Sequence, residues 1–570
     1  MDLRPRDAPG KTASLSPSAL KIGRWCCIGL ALVVGLGAGS ARGADYELVI
    51  ANGRIVDGTG APWFRADLGI RNGRIATLGN LASASAERRI DAGGRVVSPG
   101  FIDMLGQSEL HLLVDNRVES KIRQGITTEV TGEGGSAAPM SEAWIAEAKP
   151  WLDKYRLTID WTDLEGYWQR LSRARPALNL ATFVGAAQVR GVVLGLGDVQ
   201  PTPEQLSRME DEVEKAMRQG AVGVSSALIY PPGSYAKTPE LIALARVAAR
   251  HGGVYASHIR GEDDVVLRAL DEAIAIGREA RIAVEIWHLK VSLRKNWGRM
   301  REALARIENA RVEGIDISAN VYPYIAASNG LAATIPEWAQ AGGTDAMIRR
   351  FHDPAARRRI LGELRTALER EPASTIQLAS CVNPALTKYM GRRLDDVAQE
   401  MKKPPEEALL EIVEADRAQG WAVRFWMSED DVRLAIRQPW VSFVTDNPGQ
   451  AIDGPFAKDL AHPRAFGSMP RVLARYVREL KLLSLEDAVR KLTSLPARRA
   501  GLFDRGLLRP GMAADVVIFD PDRILDRATF ENPLQYAEGV SHVIVNGKVV
   551  LDEGAMTKER PGKGLRRTGP

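Results

Sequence analysis

Two histidines stand where short apolar stretches run out. Val254-Tyr-Ala-Ser-His258 and Ile282-Ala-Val-Glu-Ile-Trp-His288 each read as a buried β-strand, and the run between them has the length and periodicity of a helix. In a parallel β/α repeat all strand carboxyl ends gather on one face, so His258 and His288 point into one pocket and can ligate one cation. A single strand-end histidine is as readily a hydrogen-bonded core residue. Two in consecutive units, in a chain with only 7 histidines, favour a ligand pair. Two carboxylates follow the same pattern. The β-branched stretch Ile126-Thr-Thr-Glu-Val-Thr ends at Glu133 in a glycine-rich turn, which lets that carboxylate reach the pocket unobstructed. Trp440-Val-Ser-Phe-Val-Thr-Asp446 is a late strand with an aspartate at its exit. An Asp-Asn-Pro turn cap is the plainer reading of Asp446, and its strand-end place argues against it.

The elements that must position these residues are regularly punctuated. Thr202-Pro203-Glu204-Gln205 is a capping box with proline at the first helical position, and Gly220 ends that helix before the strand at 221–226. Thr238-Pro239-Glu240 opens another helix, stopped by Gly252, and strand and helix then alternate to Tyr322. Over 99–502 the number of units predicts an α/β fold, a closed TIM-like (β/α)8 barrel rather than an open sheet. Charged helical stretches at 336–371 and 382–420 break the repeat and read as an inserted lid, about 336–420. Residues 44–98 are all-β in texture, with Asn52-Gly53 and Asn72-Gly73 as tight turns, and 503–556 match them, with Asn546-Gly547 as a further hairpin signal. A small β-sandwich built from both chain ends is expected, with the barrel inserted in it. The basic stretch 557–570, with its proline and glycines, reads as a flexible tail.

Composition excludes several classes. The chain has 570 residues, 45% hydrophobic and 26% charged, with a net charge of +5, which suits a soluble protein with a large core. No Lys/Arg cluster interleaves with aromatics, so nucleic acid is not an expected partner. Lys21 and Arg24 precede the apolar run 26–36 and the small residues 37–43, the three-part layout of a signal peptide over 1–43. Cleavage near Gly43 or Ala44 would give a periplasmic or secreted protein without a membrane partner. Of 3 cysteines, Cys26 and Cys27 leave with the peptide, and Cys381 alone offers neither a disulfide framework nor a cysteine-rich zinc site.

Pro99-Gly-Phe-Ile-Asp103, the two strand-end histidines, the late strand-end aspartate and the paired terminal β segments resemble the amidohydrolase superfamily. Further stretches, Ala256-Ser-His-Ile-Arg260, Trp287-His-Leu-Lys-Val291, Tyr322-Pro-Tyr324, His462-Pro-Arg464, Thr493-Ser-Leu-Pro-Ala497 and Arg505 to Asp515, are similar to the N-acyl-D-amino-acid deacylases over about 46–554. The resemblance implies a metal-dependent hydrolase of carbon-nitrogen bonds other than peptide bonds, acting on small N-acyl-D-amino acids. It further implies Zn2+ on His258 and His288, Asp446 as the proton carrier, and Lys290, Tyr322 and Arg464 gripping the substrate carboxylate. Arg464 itself falls in what reads as a solvated loop.

The match has gaps. Family members carry His-x-His after the Pro-Gly-Phe-Ile-Asp strand, where this chain has Leu105-Gly106-Gln107. A metal-ligating cysteine at the next strand's exit is replaced by Gly134 beside Glu133, and no lysine ends the strand at 221–226. One zinc per chain is therefore expected, with Glu133 as third protein ligand and water in the open position. Gln107 and Glu109 are left to hydrogen-bond in the emptied pocket. Two other readings stay open: a catalytically impaired pseudoenzyme binding acyl-amino acids or peptides, and an amidohydrolase of D-dipeptides or cyclic amides.

Overall fold

The computed structural model describes residues 44–567, so the signal peptide expected over 1–43 lies outside the described residues. Eight parallel strands form the centre: Phe101–Asp103, Ile126–Thr131, Asn179–Thr182 continued by Val184–Gly185, Gly223–Ala227, Val254–His258, Ala283–Ile286, Ile317–Val321 and Val441–Phe443. Each pairs with the next in parallel, with one register shift between Phe101 and Ile102 in the first pair. The ring closes where the Asp446 amide donates to the Leu105 carbonyl at 2.8 Å. Every residue of Ile126–Thr131, Gly223–Ala227, Val254–His258 and Ile317–Val321 is buried, which is why these strands show no apolar/polar alternation. Helices such as Pro203–Arg218, opened by the Thr202/Gln205 capping box, and Thr238–Arg250 cover the outside. No helix among the described residues is long and apolar enough to cross a membrane.

The chain ends meet in one nine-stranded sheet. Val96–Pro99 runs antiparallel to Val516–Phe519, with Val97 opposite Ile518. Asn72-Gly73 and Asn546-Gly547 both adopt the paired positive φ values their hairpins require. The sheet curls so that Leu48, Leu68 and Ile70 share a core with Val516, Ile518 and Ile544.

Two expectations change. The insertion between the last two barrel strands is wider than 336–420 and is not only helical. Ala327–Gly330, Ile376–Ser380 and Trp421–Arg424 form an antiparallel sheet beneath Thr344–His352, Pro354–Arg370, Leu394–Met401 and Pro405–Ala415, with a separate core around Phe351, Ile360 and Leu409. The tail at 557–570 is not free as far as residue 567. The Leu565 amide donates to Leu180 O at 2.7 Å, the Leu180 amide to Lys563 O at 3.0 Å, and the Arg567 amide to Gly220 O at 3.0 Å. Gly562 and Gly564 lie so close to Leu178 and the Trp168 ring that a Cβ would collide. The glycines that read as flexibility permit close approach instead.

Candidate active site

His258 is the last residue of Val254–His258, and His288 sits two past Ala283–Ile286. Their rings are edge to face with centroids 4.4 Å apart. Glu133 hangs from a turn in which Gly132 and Gly134 both have positive φ (96° and 70°), a path closed to larger residues. One oxygen of that carboxylate, Oε1, lies 2.9 Å from His258 Nδ1 and 2.8 Å from His288 Nε2. Among the described residues this is the group of histidine and carboxylate side chains whose donor atoms converge, all within 4.8 Å of one another. Two imidazole nitrogens and a carboxylate oxygen are a donor set that fits a divalent zinc-like cation. Leu105 packs into the core and Gln107 offers an amide, so the expected gap at the first strand stands.

Asp446 faces this group, and Gln107 bridges the two carboxylates: its Nε2 donates to Glu133 Oε2 at 2.6 Å and to Asp446 Oδ1 at 3.3 Å. The backbones of His288 (φ 35°) and Asp446 (φ 48°) are both left-handed, a strain of about 1–3 kcal/mol each that surrounding contacts must hold. The His288 amide donates to Asn320 Oδ1 at 2.7 Å. Beside Asp446, the Thr445 amide and hydroxyl donate to Asp103 at 3.0 and 2.5 Å, and the buried Lys121 ammonium donates to Asp103 and Thr445 at 2.7 and 2.5 Å.

The charges are set by burial and by neighbours. Burial raises the Asp446 carboxyl above its ordinary range, with the Glu133 charge adding to it and Arg464 and His288 opposing. Burial also opposes ionisation of Glu133, yet the hydrogen bonds from His258 and His288 outweigh it and hold Glu133 well below the usual range. Burial lowers His258. For His288, burial and Lys290 oppose its charge, but Asp446 and Glu133 prevail and lift it to about 9.

The three residues expected to grip a carboxylate are all buried, and two of them touch. Arg464 is the first residue of the helix Arg464–Arg471, not part of a solvated loop: it is 1% exposed, because its guanidinium pairs with Asp446 at 2.8 Å and lies 4.5 Å over the Tyr322 ring. Lys290 turns toward Glu262 and lies 2.7 Å from His288 Nδ1. Glu262, 3.3 Å from that same nitrogen, was not singled out by sequence, although it stands four residues after His258; the carboxylate is held far below its usual range by Lys290 and the two imidazoles, against the effect of burial. Tyr230, edge-on to His258 at 5.2 Å, also escaped notice. Its loop carries no local pattern that points to the pocket. Glu133, Asp446 and Gln107 line a cavity of about 430 Å3 that opens beside them.

The amidohydrolase family profile matches residues 88–551. An N-acyl-D-glutamate deacylase of Alcaligenes xylosoxydans xylosoxydans is 37% identical over 525 residues, 91% of this chain and 96% of that one. The crystal structure of N-acyl-D-glutamate deacylase from Bordetella bronchiseptica, complexed with zinc and a phosphonate mimic of the tetrahedral intermediate, is 36% identical, covers 91% of this chain and 99% of its own, and superposes with a TM-score of 0.78. A solved D-aminoacylase, described by a binuclear metal centre with one-metal activation and second-metal attenuation, is 34% identical over 92% of this chain and 100% of its own, with a TM-score of 0.77.

Proposed function

The chain belongs to the amidohydrolase family and, within it, to the metal-dependent N-acyl-D-amino-acid deacylases, and from that premise we propose that it removes the acyl group of N-acyl-D-amino acids using one zinc ion held by Glu133, His258 and His288. The convergence of those three donors on one point, with Asp446 facing them, is the observation that carries the reading. A divalent cation held by these three residues would supply an acidified water and a polarised amide carbonyl. One ion rather than two follows from Leu105 and Gln107, neither of which is a zinc ligand. It accords with the one-metal activation described for the D-aminoacylase.

The chain's own residues then divide the work. Asp446, its basicity raised by burial, accepts a proton from the attacking water and returns it to the departing amine nitrogen. Gln107 holds the two carboxylates at fixed spacing, and the left-handed turn at Asp446, pinned through Thr445 and Asp103, aims the carboxylate. Arg464, stiffened by the Tyr322 ring, is the planar cation for the substrate carboxylate. Lys290, 5.7 Å from the same Tyr322 ring, adds a second positive charge. Lys290 Nζ at 2.7 Å and Glu262 at 3.3 Å both face His288 Nδ1, contacts that fix the ring with Nε2 turned to Glu133.

A panel of N-acetyl-D- and N-acetyl-L-amino acids, assayed with zinc supplied and then chelated, tests the proposal. Zinc-dependent turnover confined to the D series is expected. Equal turnover of both series, or none in any metal state, overturns it, and the latter makes the chain a binder. We further propose, from the signal-like residues 21–43, that the mature protein acts outside the cytoplasm. Fractionation of cells expressing the full chain checks this.

A further inference from the structure

The cavity beside Glu133 and Asp446 continues well past them. At about 430 Å3 it is far larger than an acetyl methyl group needs, since a group of that size occupies on the order of 30 Å3. Its far wall is aromatic. His111 and Phe456 have ring centroids 4.5 Å apart, Trp151 and Tyr155 4.8 Å, and Tyr155 and Phe456 4.7 Å, so four rings pack into one surface. Trp144 joins the lining with its indole N–H donated to Gln188 O at 3.1 Å, which leaves only ring surface for a ligand. Burial drives the His111 imidazole down to about 3, so this ring is neutral. The carboxyl near the reacting end, Glu109, has an oxygen without a hydrogen-bond partner and is lifted by burial to about 8. No fixed charge therefore divides the reacting centre from the rings at neutral pH. The charged pair Lys154–Asp459 (2.9 Å) lies at the Tyr155 end of the wall, Lys154 Nζ 5.0 Å from that ring, where the two charges satisfy each other.

Direction decides which part of a substrate meets this wall. Lys290 and Tyr322 follow the strands Ala283–Ile286 and Ile317–Val321, and Arg464 is stacked on Tyr322. His111 follows the first barrel strand, Trp151 and Tyr155 the second and Phe456 the last; all four rings line the cavity, and Lys290, Tyr322 and Arg464 do not. Across a trans amide bond the acyl chain and the amino-acid Cα lie on opposite sides. With the amino-acid carboxylate held at Arg464, the acyl chain runs toward the rings.

We propose that the His111–Trp151–Tyr155–Phe456 wall is the acyl subsite and that it selects a large apolar acyl group, arylacetyl or medium-chain, over acetyl. The inference rests on the deacylase reading for the identity of the group it holds. The test compares N-phenylacetyl-D-alanine with N-acetyl-D-alanine in two ways: kcat/KM with the zinc-loaded enzyme, and calorimetric binding to the zinc-loaded Asp446→Asn variant, which needs no turnover. A preference for phenylacetyl of at least about tenfold is expected in both, the scale of apolar discrimination. Trp151→Ala and Phe456→Ala should each shrink that ratio at least about fivefold, the acetyl compound serving as the folding control within each variant. Equal or better kcat/KM and binding for the acetyl compound overturns the subsite and leaves the deacylase reading intact. Tighter phenylacetyl binding with no hydrolysis of either compound supports the subsite and removes the deacylase reading.

Discussion

Each imidazole of the proposed metal triad contributes one nitrogen of the three converging donors. Replacing His258 or His288 by alanine should therefore abolish bound zinc, measured by elemental analysis, and lower kcat/KM by at least about 10³-fold. Asp446→Asn should separate the roles: zinc content stays near that of the parent while kcat falls about 10²- to 10⁴-fold, the range for a lost general base. The strand-end histidines and the glycine-flanked Glu133 were legible in the sequence because position at a strand exit fixes where a side chain points. The Asp446–Arg464 pair was not, because its partners lie on separate elements and only tertiary packing brings them within 2.8 Å. Glu262 escaped for the same reason. Its partner Lys290 comes from the next β/α unit, and nothing local distinguishes it from any loop carboxylate.

The inserted unit carries a strained charge of its own. Asp416, at the end of the helix Pro405–Ala415, accepts the amides of Val382 and Asn383 at 2.8 and 2.6 Å with one oxygen, while its other oxygen is buried without a partner. Burial lifts this carboxyl from 3.8 to about 6. An acid whose folded pKa is raised imposes no penalty below its unfolded pKa; the penalty grows as pH rises from about 4 and is complete above about 6. Asp416→Asn keeps an acceptor for both amides and removes the charge. It should match the parent at pH 4 and exceed it by roughly 2–3 kcal/mol at pH 7 in denaturant melts. The helices here were legible as charged helical stretches that break the barrel repeat. The sheet was not, since Ile376–Ser380 and Trp421–Arg424 are 5 and 4 residues long and buried segments that short show no period to separate strand from helix.

At the scale of the molecule, residues 562–567 tie the end of the chain to the barrel by backbone hydrogen bonds at Pro176, Leu180 and Gly220 and by the Arg566–Glu165 ion pair at 2.6 Å. Truncation after Thr557 exposes the Leu180 amide and the Trp168 face, and should lower Tm by several degrees. Scanning calorimetry with the zinc-loaded protein checks it. The barrel and the two-ended sheet were legible because strand and helix alternate and the Asn-Gly hairpins recur at both ends; the docking of the tail depends on glycine fitting against Trp168, which composition reports only as looseness. The joining of Val97 to Ile518 has a consequence for biogenesis. At translation rates of about 5–20 residues per second, the earliest strands wait on the order of 20–80 s for partners still being made. Until then the nascent chain carries an apolar edge that other chains can pair with, so the interval between synthesis of the first and last hundred residues is when a holding chaperone matters most to yield.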